Sequence, residues 1–226
     1  ATIDVQKSEE GLEARLIHQV GGTVTVKSSD DGLNAKDWTL ESSEGQGPGQ
    51  QTKTVKAEAA NVKNLNQAGE VKIVIDGGTL TVDAEGDGLD ANGSIEINGG
   101  TVVVNGPTSG ANAALDYDDT GKLNGGTVLF VDNGEMTMGF GSDSSQAFLM
   151  ASVQGTAGTT VEVVDSSGKT VASLKASKAF STVLISSPEI KEGEKYTIKV
   201  GSNSTTATAS KQAANIGGGP GQGGPG

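Results

Sequence analysis

The sequence predicts an all-β chain wound as a parallel β-helix, and three observations carry that reading. A Gly-Gly-Thr motif followed by alternating apolar residues occurs four times. A second motif, centred on leucine, falls between the copies. Aromatic residues number only seven in 226, so the interior must be built from Val, Ile, Leu and Ala. A short strand with one apolar face cannot bury that face alone, whereas stacked units share a narrow aliphatic interior. The alternative is an antiparallel β-sandwich whose repeats are coincidental.

Taken in order, residues 2–5 read as a strand of an earlier unit. Gly11-Leu12-Glu13-Ala14 follows, then Gly21-Gly22-Thr23-Val24-Thr25-Val26 and Gly32-Leu33-Asn34-Ala35. Residues 38–67 break the pattern with Glu44-Gly45-Gln46-Gly47-Pro48-Gly49-Gln50 and an Ala/Lys/Asn stretch without strand alternation, an expected edge insertion. The pattern resumes at 71–75, at Gly77-Gly78-Thr79-Leu80-Thr81-Val82 and at Gly88-Leu89-Asp90-Ala91, with 95–97 as the counterpart of 71–75. It continues through Gly99-Gly100-Thr101, Ala114-Leu115-Asp116-Tyr117 and Gly125-Gly126-Thr127. The leucines lie 21, 56 and 26 residues apart, so a unit holds 21–26 residues and the long interval contains the insertion.

After Phe140 the repeat fades. Residues 147–209 read as four or five further strands, around 161–164, 171–174, 183–185 and 196–200, completing or capping the solenoid. A cap is expected because a bare last unit would be an open sheet edge. Residues 1–146 thus form the coils, 147–209 the C-terminal β cap, and 210–226 a flexible tail, Gly, Pro and Gln alone from 217 on.

Composition narrows the function. Sixteen basic against 28 acidic residues give a net charge of −12, which repels phosphate backbones and makes cations the natural partner. There is no cysteine and one histidine, His18, so thiolate sites are excluded and zinc or a histidine triad is disfavoured. His18 reads as a surface residue beside a strand. No apolar run approaches the roughly 20 residues of a membrane helix, so no membrane insertion is expected. No signal-peptide pattern is present, and Ala1 could follow a removed one.

In a parallel stack, equivalent residues sit about 4.8 Å apart. Aligned on the leucine, the next residue runs Glu13, Asn34, Asp90, Asp116; two before it, Glu10, Asp31, Asp87, Ala113; one further back, Glu9, Asp30, Gly86, Asn112. Three after the leucine stand Arg15, Lys36, Asn92 and Asp118. Carboxylates at that spacing repel by roughly 3–4 kcal/mol at an effective dielectric of 20. Calcium removes the cost, since its oxygen ligands at about 2.3–2.6 Å span half the spacing. Calcium ligands are therefore expected among Glu10, Glu13, Asp30, Asp31, Asn34, Asp87, Asp90, Asn92, Asp116 and Asp118. The bland alternative is solvated turn residues, Asp and Asn being common turn formers.

Asp30-Asp31-Gly32-Leu33-Asn34-Ala35, Gly86-Asp87-Gly88-Leu89-Asp90-Ala91-Asn92-Gly93, Gly106-Pro107-Thr108, Ala114-Leu115-Asp116-Tyr117-Asp118, Ile185-Ser186-Ser187-Pro188 and Gly193-Glu194-Lys195-Tyr196-Thr197 together resemble secreted bacterial carbohydrate-binding β-helix proteins, similar to pectate lyases, that bind cellulose and polygalacturonate. The resemblance implies a right-handed parallel β-helix, bound calcium, a secreted or cell-surface location and extracellular polysaccharide as partner. Asn34 and Ala113 depart from a fully carboxylate pattern.

Three functions follow as expectations. A binding module would meet acidic polysaccharide through calcium, and neutral glucan on aromatic platforms, for which Trp38, Tyr117 and Phe140 are the candidates. A pectate lyase would need a base beside the metal, and only Arg15 and Lys36 flank the acid columns. A structural surface protein is the third. Binding without catalysis is the expectation, with Arg15, Lys36, Trp38 and Tyr117 as candidate ligand contacts.

Overall fold

A computed structural model describes residues 1–37 and 70–212; the expected insertion at 38–67, Trp38 and the tail from 213 on lie outside the described residues. Those residues form nineteen strands and no helix, hence none long and apolar enough to cross a membrane. The strands succeed one another in threes: β1 (Thr2–Ser8), β2 (Leu12–Ala14), β3 (Leu16–Gln19); β4 (Thr23–Ser28), β5 (Leu33–Ala35), β6 (Lys72–Ile75); β7 (Thr79–Ala84), β8 (Leu89–Ala91), β9 (Ser94–Ile97); and β10 (Thr101–Asn105), β11 (Leu115–Tyr117), β12 (Gly121–Leu123). Each three contributes one strand to each of three parallel sheets, and β13 (Thr127–Asp132) extends the first. Pairing is parallel throughout this part, so the antiparallel alternative does not hold for it.

Register follows the two motifs. Thr2, Thr23, Thr79, Thr101 and Thr127 pair in one column, and Leu12, Leu33, Leu89 and Leu115 in another. The glycine before each of the last four threonines of the first column holds the turn in place. Gly78 and Gly100 have φ of +84° and +86°, and a Cβ on Gly100 would stand 2.7 Å from the carbonyl oxygen of Gly78. Only glycine fits both the left-handed backbone and the close approach.

Inward residues of the three sheets merge into one aliphatic core: Val24, Val26, Leu33, Ile73, Leu80, Val82, Leu89, Ile95 and their counterparts above. Its upper end is closed by rings. Phe140 packs edge-on between Phe130 and Phe148, with centroids 5.7 and 5.8 Å away.

Beyond β13 the pairing turns antiparallel. β14 (Leu149–Gly155) and β17 (Phe180–Ser186) join the first sheet through β13, while β15 (Thr160–Val164), β16 (Thr170–Lys175), β18 (Lys195–Val200) and β19 (Asn203–Thr208) form a separate sheet ordered β16-β15-β18-β19. Six strands stand where four or five are expected. A second core fills the space between these layers. β13 serves both cores, with Val128 and Phe130 facing the first and Leu129 and Val131 the second. The β16–β17 turn reaches back onto the parallel part. The N–H of Ser177 donates to Asn105 Oδ1 (2.8 Å), and Lys178 Nζ contacts the Ala84 carbonyl (2.6 Å), Glu85 (3.0 Å) and Asp83 (3.3 Å).

Candidate functional site

The acid column lies along the β2-β5-β8-β11 sheet and the turns that enter it. Strand pairing puts Glu13, Asn34, Asp90 and Asp116 side by side. The turn residues one step back are tied across units by backbone donors. The N–H of Asp87 donates to Asp31 Oδ1 (2.8 Å), and that of Ala113 to Asp87 Oδ1 (2.6 Å). At Ala114, whose counterparts Gly32 and Gly88 donate their N–H to the carbonyls of Asp87 and Ala113, the buried Asp132 stands in for that backbone acceptor, its Oδ2 taking the N–H at 3.2 Å. One oxygen of Asp31 and of Asp87 therefore does a turn residue's work.

Asn34 sits at the middle of this edge, only 4% exposed. Its Nδ2 donates to Asp31 Oδ2 (3.0 Å) and Glu10 Oε2 (3.5 Å), and two carboxylate acceptors determine which end of the amide faces them. Its Oδ1, on the other branch, is buried without a hydrogen-bond partner. A buried acceptor left unpaired costs about 1–3 kcal/mol. Gly86 lies close against the acids of the preceding unit, where a Cβ would stand 2.5 Å from Asp30 Oδ1 and 2.6 Å from Asp31 Oδ1.

The electrostatics record the crowding. Burial, and then the charges of Asp31, Asp87, Asp116 and Asp118, push the Asp90 carboxyl up to about 7. Burial pushes Asp87 up to about 6 against the stabilising Ala113 N–H, with Asp31, Asp116 and Asp30 adding repulsion. Asp31, Asp116 and Glu10 are also raised, in each case chiefly by burial. Asn92 Nδ2 reaches Asp118 Oδ2 at 3.4 Å. Among the described residues, no three His, Asp or Glu side chains are arranged to hold a metal ion. The acids share one edge without closing around a point.

Other expected site residues have different surroundings. Glu13 is paired with Lys36 at 2.7 Å, and Arg15 with Asp37 at 3.2 Å. Both cations flanking the column are thus engaged by carboxylates. Tyr117 packs its ring over Gly121, where a Cβ would meet Tyr117 Cε1 at 2.3 Å, and its hydroxyl donates to the Gly139 carbonyl (2.8 Å). Phe140, expected as a possible platform, is wholly buried and presents no face to a ligand; the end of the aliphatic core needed a large ring. His18 lies in β3, exposed, 2.7 Å from Asp76 Oδ2.

Sequence reasoning found the columns but missed the cross-unit backbone bonds, Asp132 and the orphaned Asn34 oxygen. The one available signal was the run of acids at turn positions, which is also the signature of backbone-capping aspartates. Comparisons of the chain with protein-family models, with curated proteins and with solved structures find no match.

Proposed function

We propose that this chain is a right-handed parallel β-helix of the secreted bacterial carbohydrate-binding kind, holding calcium in its acid column and binding acidic plant cell-wall polysaccharide such as polygalacturonate. The observation that carries the reading is the buried Asn34 Oδ1, unpaired among carboxylates that burial and mutual repulsion hold toward their protonated forms. Hard oxygen donors and an orphaned amide oxygen fit a calcium ion better than they fit any neutral group. Asp31, Asn34, Asp87, Asp90 and Asp116 are the residues that would hold it. The ion would supply the positive charge that lets a uronate approach an acidic surface.

Polygalacturonate is favoured over cellulose because the described aromatics are spent in the cores. Phe130, Phe140, Phe148, Phe180 and Tyr196 are buried, and Tyr117 is packed on Gly121. Binding without cleavage is favoured because a lyase base must be available to take a proton, and Lys36 and Arg15 both face carboxylates at ion-pair distance.

The test is pull-down and calorimetry with polygalacturonate and cellulose, each with calcium and with chelator, alongside an ultraviolet assay for unsaturated uronide. Calcium-enhanced binding to polygalacturonate with a flat absorbance is the expected result. No bound ion in metal analysis and no polysaccharide binding would overturn the reading; growing absorbance would replace it with pectate lyase.

A further inference from the structure

The charge of this chain is divided. Residues 1–146 carry nine basic and 23 acidic side chains, whereas 147–212 carry seven lysines and five acids, a net +2 on a chain of −12. The lysines are not spread evenly over the second part. The β16-β15-β18-β19 sheet buries one face, with Val161, Val163, Tyr196, Ile198 and Val200, in the second core. Its other face points to solvent. There β18 presents Lys195 and Lys199, both exposed, and β16 presents Lys175. Register places Lys199 beside Glu162, the sole acid these four strands carry, with Ser173 next in the row. Glu162 makes no ion pair, nor do the three lysines among the described residues.

We infer that this face is a docking surface for an extended uronic-acid polysaccharide, which it contacts directly through ammonium–carboxylate pairs. The inference rests on the proposed polysaccharide function but assigns it a second surface that needs no metal. Charge complementarity identifies the occupant: three unpaired ammoniums face solvent on a molecule that is otherwise strongly anionic. Lys195 and Lys199 lie four residues apart on one strand, roughly 13 Å, and Lys175, two strands over and two residues further along, is roughly 12 Å from Lys199. That array matches a chain with charges spread along its length better than it matches a single small anion. Between the lysines the face offers hydroxyls, Thr197 and its strand partner Thr206 among them, which suit sugar hydroxyls. It offers no aromatic ring, so a neutral glucan finds no stacking platform on it.

The experiment measures polygalacturonate binding in excess chelator at low salt, for the whole chain and for Lys175→Gln/Lys195→Gln/Lys199→Gln. All three positions are exposed strand residues, so the variant's melting curve is expected to match the parent's. A matched control, Lys7→Gln/Lys27→Gln/Lys122→Gln, removes three cations from the parallel part. Three exposed pairs correspond to roughly a ten-fold affinity change. The parent should bind in chelator, the first variant should lose about ten-fold, and the control should lose little. Binding seen only with calcium and unchanged in the first variant would overturn this inference and leave the calcium-mediated function standing. No binding under either condition would overturn both. Equal, lysine-dependent binding of double-stranded DNA would overturn the uronate assignment and make the face a general polyanion surface.

Discussion

Asp90→Asn should stabilise the metal-free protein at pH 8 and leave it unchanged at pH 4. The Asp90 carboxyl titrates near 7 in the fold against an ordinary value of 3.8. Below about 3.8 both folded and unfolded chains carry the proton, and the group costs nothing. As pH rises toward 7 the unfolded chain ionises first, so folding is progressively disfavoured; above 7 the penalty is constant. At about 1.4 kcal/mol per pH unit the interval corresponds to about 4 kcal/mol. Asp90 is only half-buried, and solvent screening reduces this to roughly 2 kcal/mol. Asparagine keeps the shape and cannot ionise. For a chain of this size 1 kcal/mol moves the melting temperature by about 2–4 °C, so the variant should melt roughly 4–8 °C higher at pH 8 in chelator. Scanning calorimetry at pH 4, 6 and 8 reads it directly. A variant that melts at or below the parent at pH 8, or gains equally at pH 4, would refute the account of a repelling, desolvated column.

Calcium should raise the parent's melting temperature more at pH 8 than at pH 5, where Asp87 and Asp90, titrating near 6 and 7, still hold protons; proton release on calcium addition, followed by calorimetry in buffers of different ionisation enthalpy, checks it. Asn34→Ala should weaken calcium binding about ten-fold or more, because it removes the orphaned oxygen along with the amide that orders Asp31 and Glu10; a calcium titration with and without the substitution decides. Gly78→Ala should cost at least about 2 kcal/mol, from the left-handed backbone and a Cβ placed 2.3 Å from the Gly22 carbonyl oxygen, read as the denaturant midpoint. Phe140→Ala should cost about 3–5 kcal/mol, since it empties the ring site between Phe130 and Phe148.

Much of the register was legible because each unit repeats its own punctuation. A positive-φ glycine and a threonine open every strand of the first sheet from β4 to β13, so aligning motifs aligned the columns. The acid column followed from the same alignment, one residue per unit. What the alignment could not carry was direction within each side chain. Asp31 and Asp87 look alike in sequence whether both oxygens face a cation or one caps the next unit's N–H, as here. Glu13 sits in the column by register yet turns to Lys36. The antiparallel part was less legible, for a compositional reason. β19 reads Asn203-Ser204-Thr205-Thr206-Ala207-Thr208, with no large apolar residue to mark a buried face. A clue to the second core was present in β13, where Leu129 and Val131 replace the polar residues at outward positions of β4 and β7. A strand apolar on both faces is one covered on both sides.

The divided charge gives the two proposed surfaces different sensitivities, and that difference separates them without any mutation. The lysine face is exposed, and at 0.15 M salt its pairs are screened over about 8 Å, so added sodium chloride should weaken a direct uronate contact steadily. The acid column is partly buried, as the upward displacement of Asp87 and Asp90 records, and partly buried charges are screened much less than exposed ones. Binding to polygalacturonate should therefore resolve into a salt-sensitive part that survives chelation and a salt-tolerant part that does not. Measured across sodium chloride in calcium and in chelator, two parallel salt dependences would mean a single mode of attachment, and the pairing of an acidic, cation-seeking edge with a basic sheet face would then have to serve something other than one shared polymer.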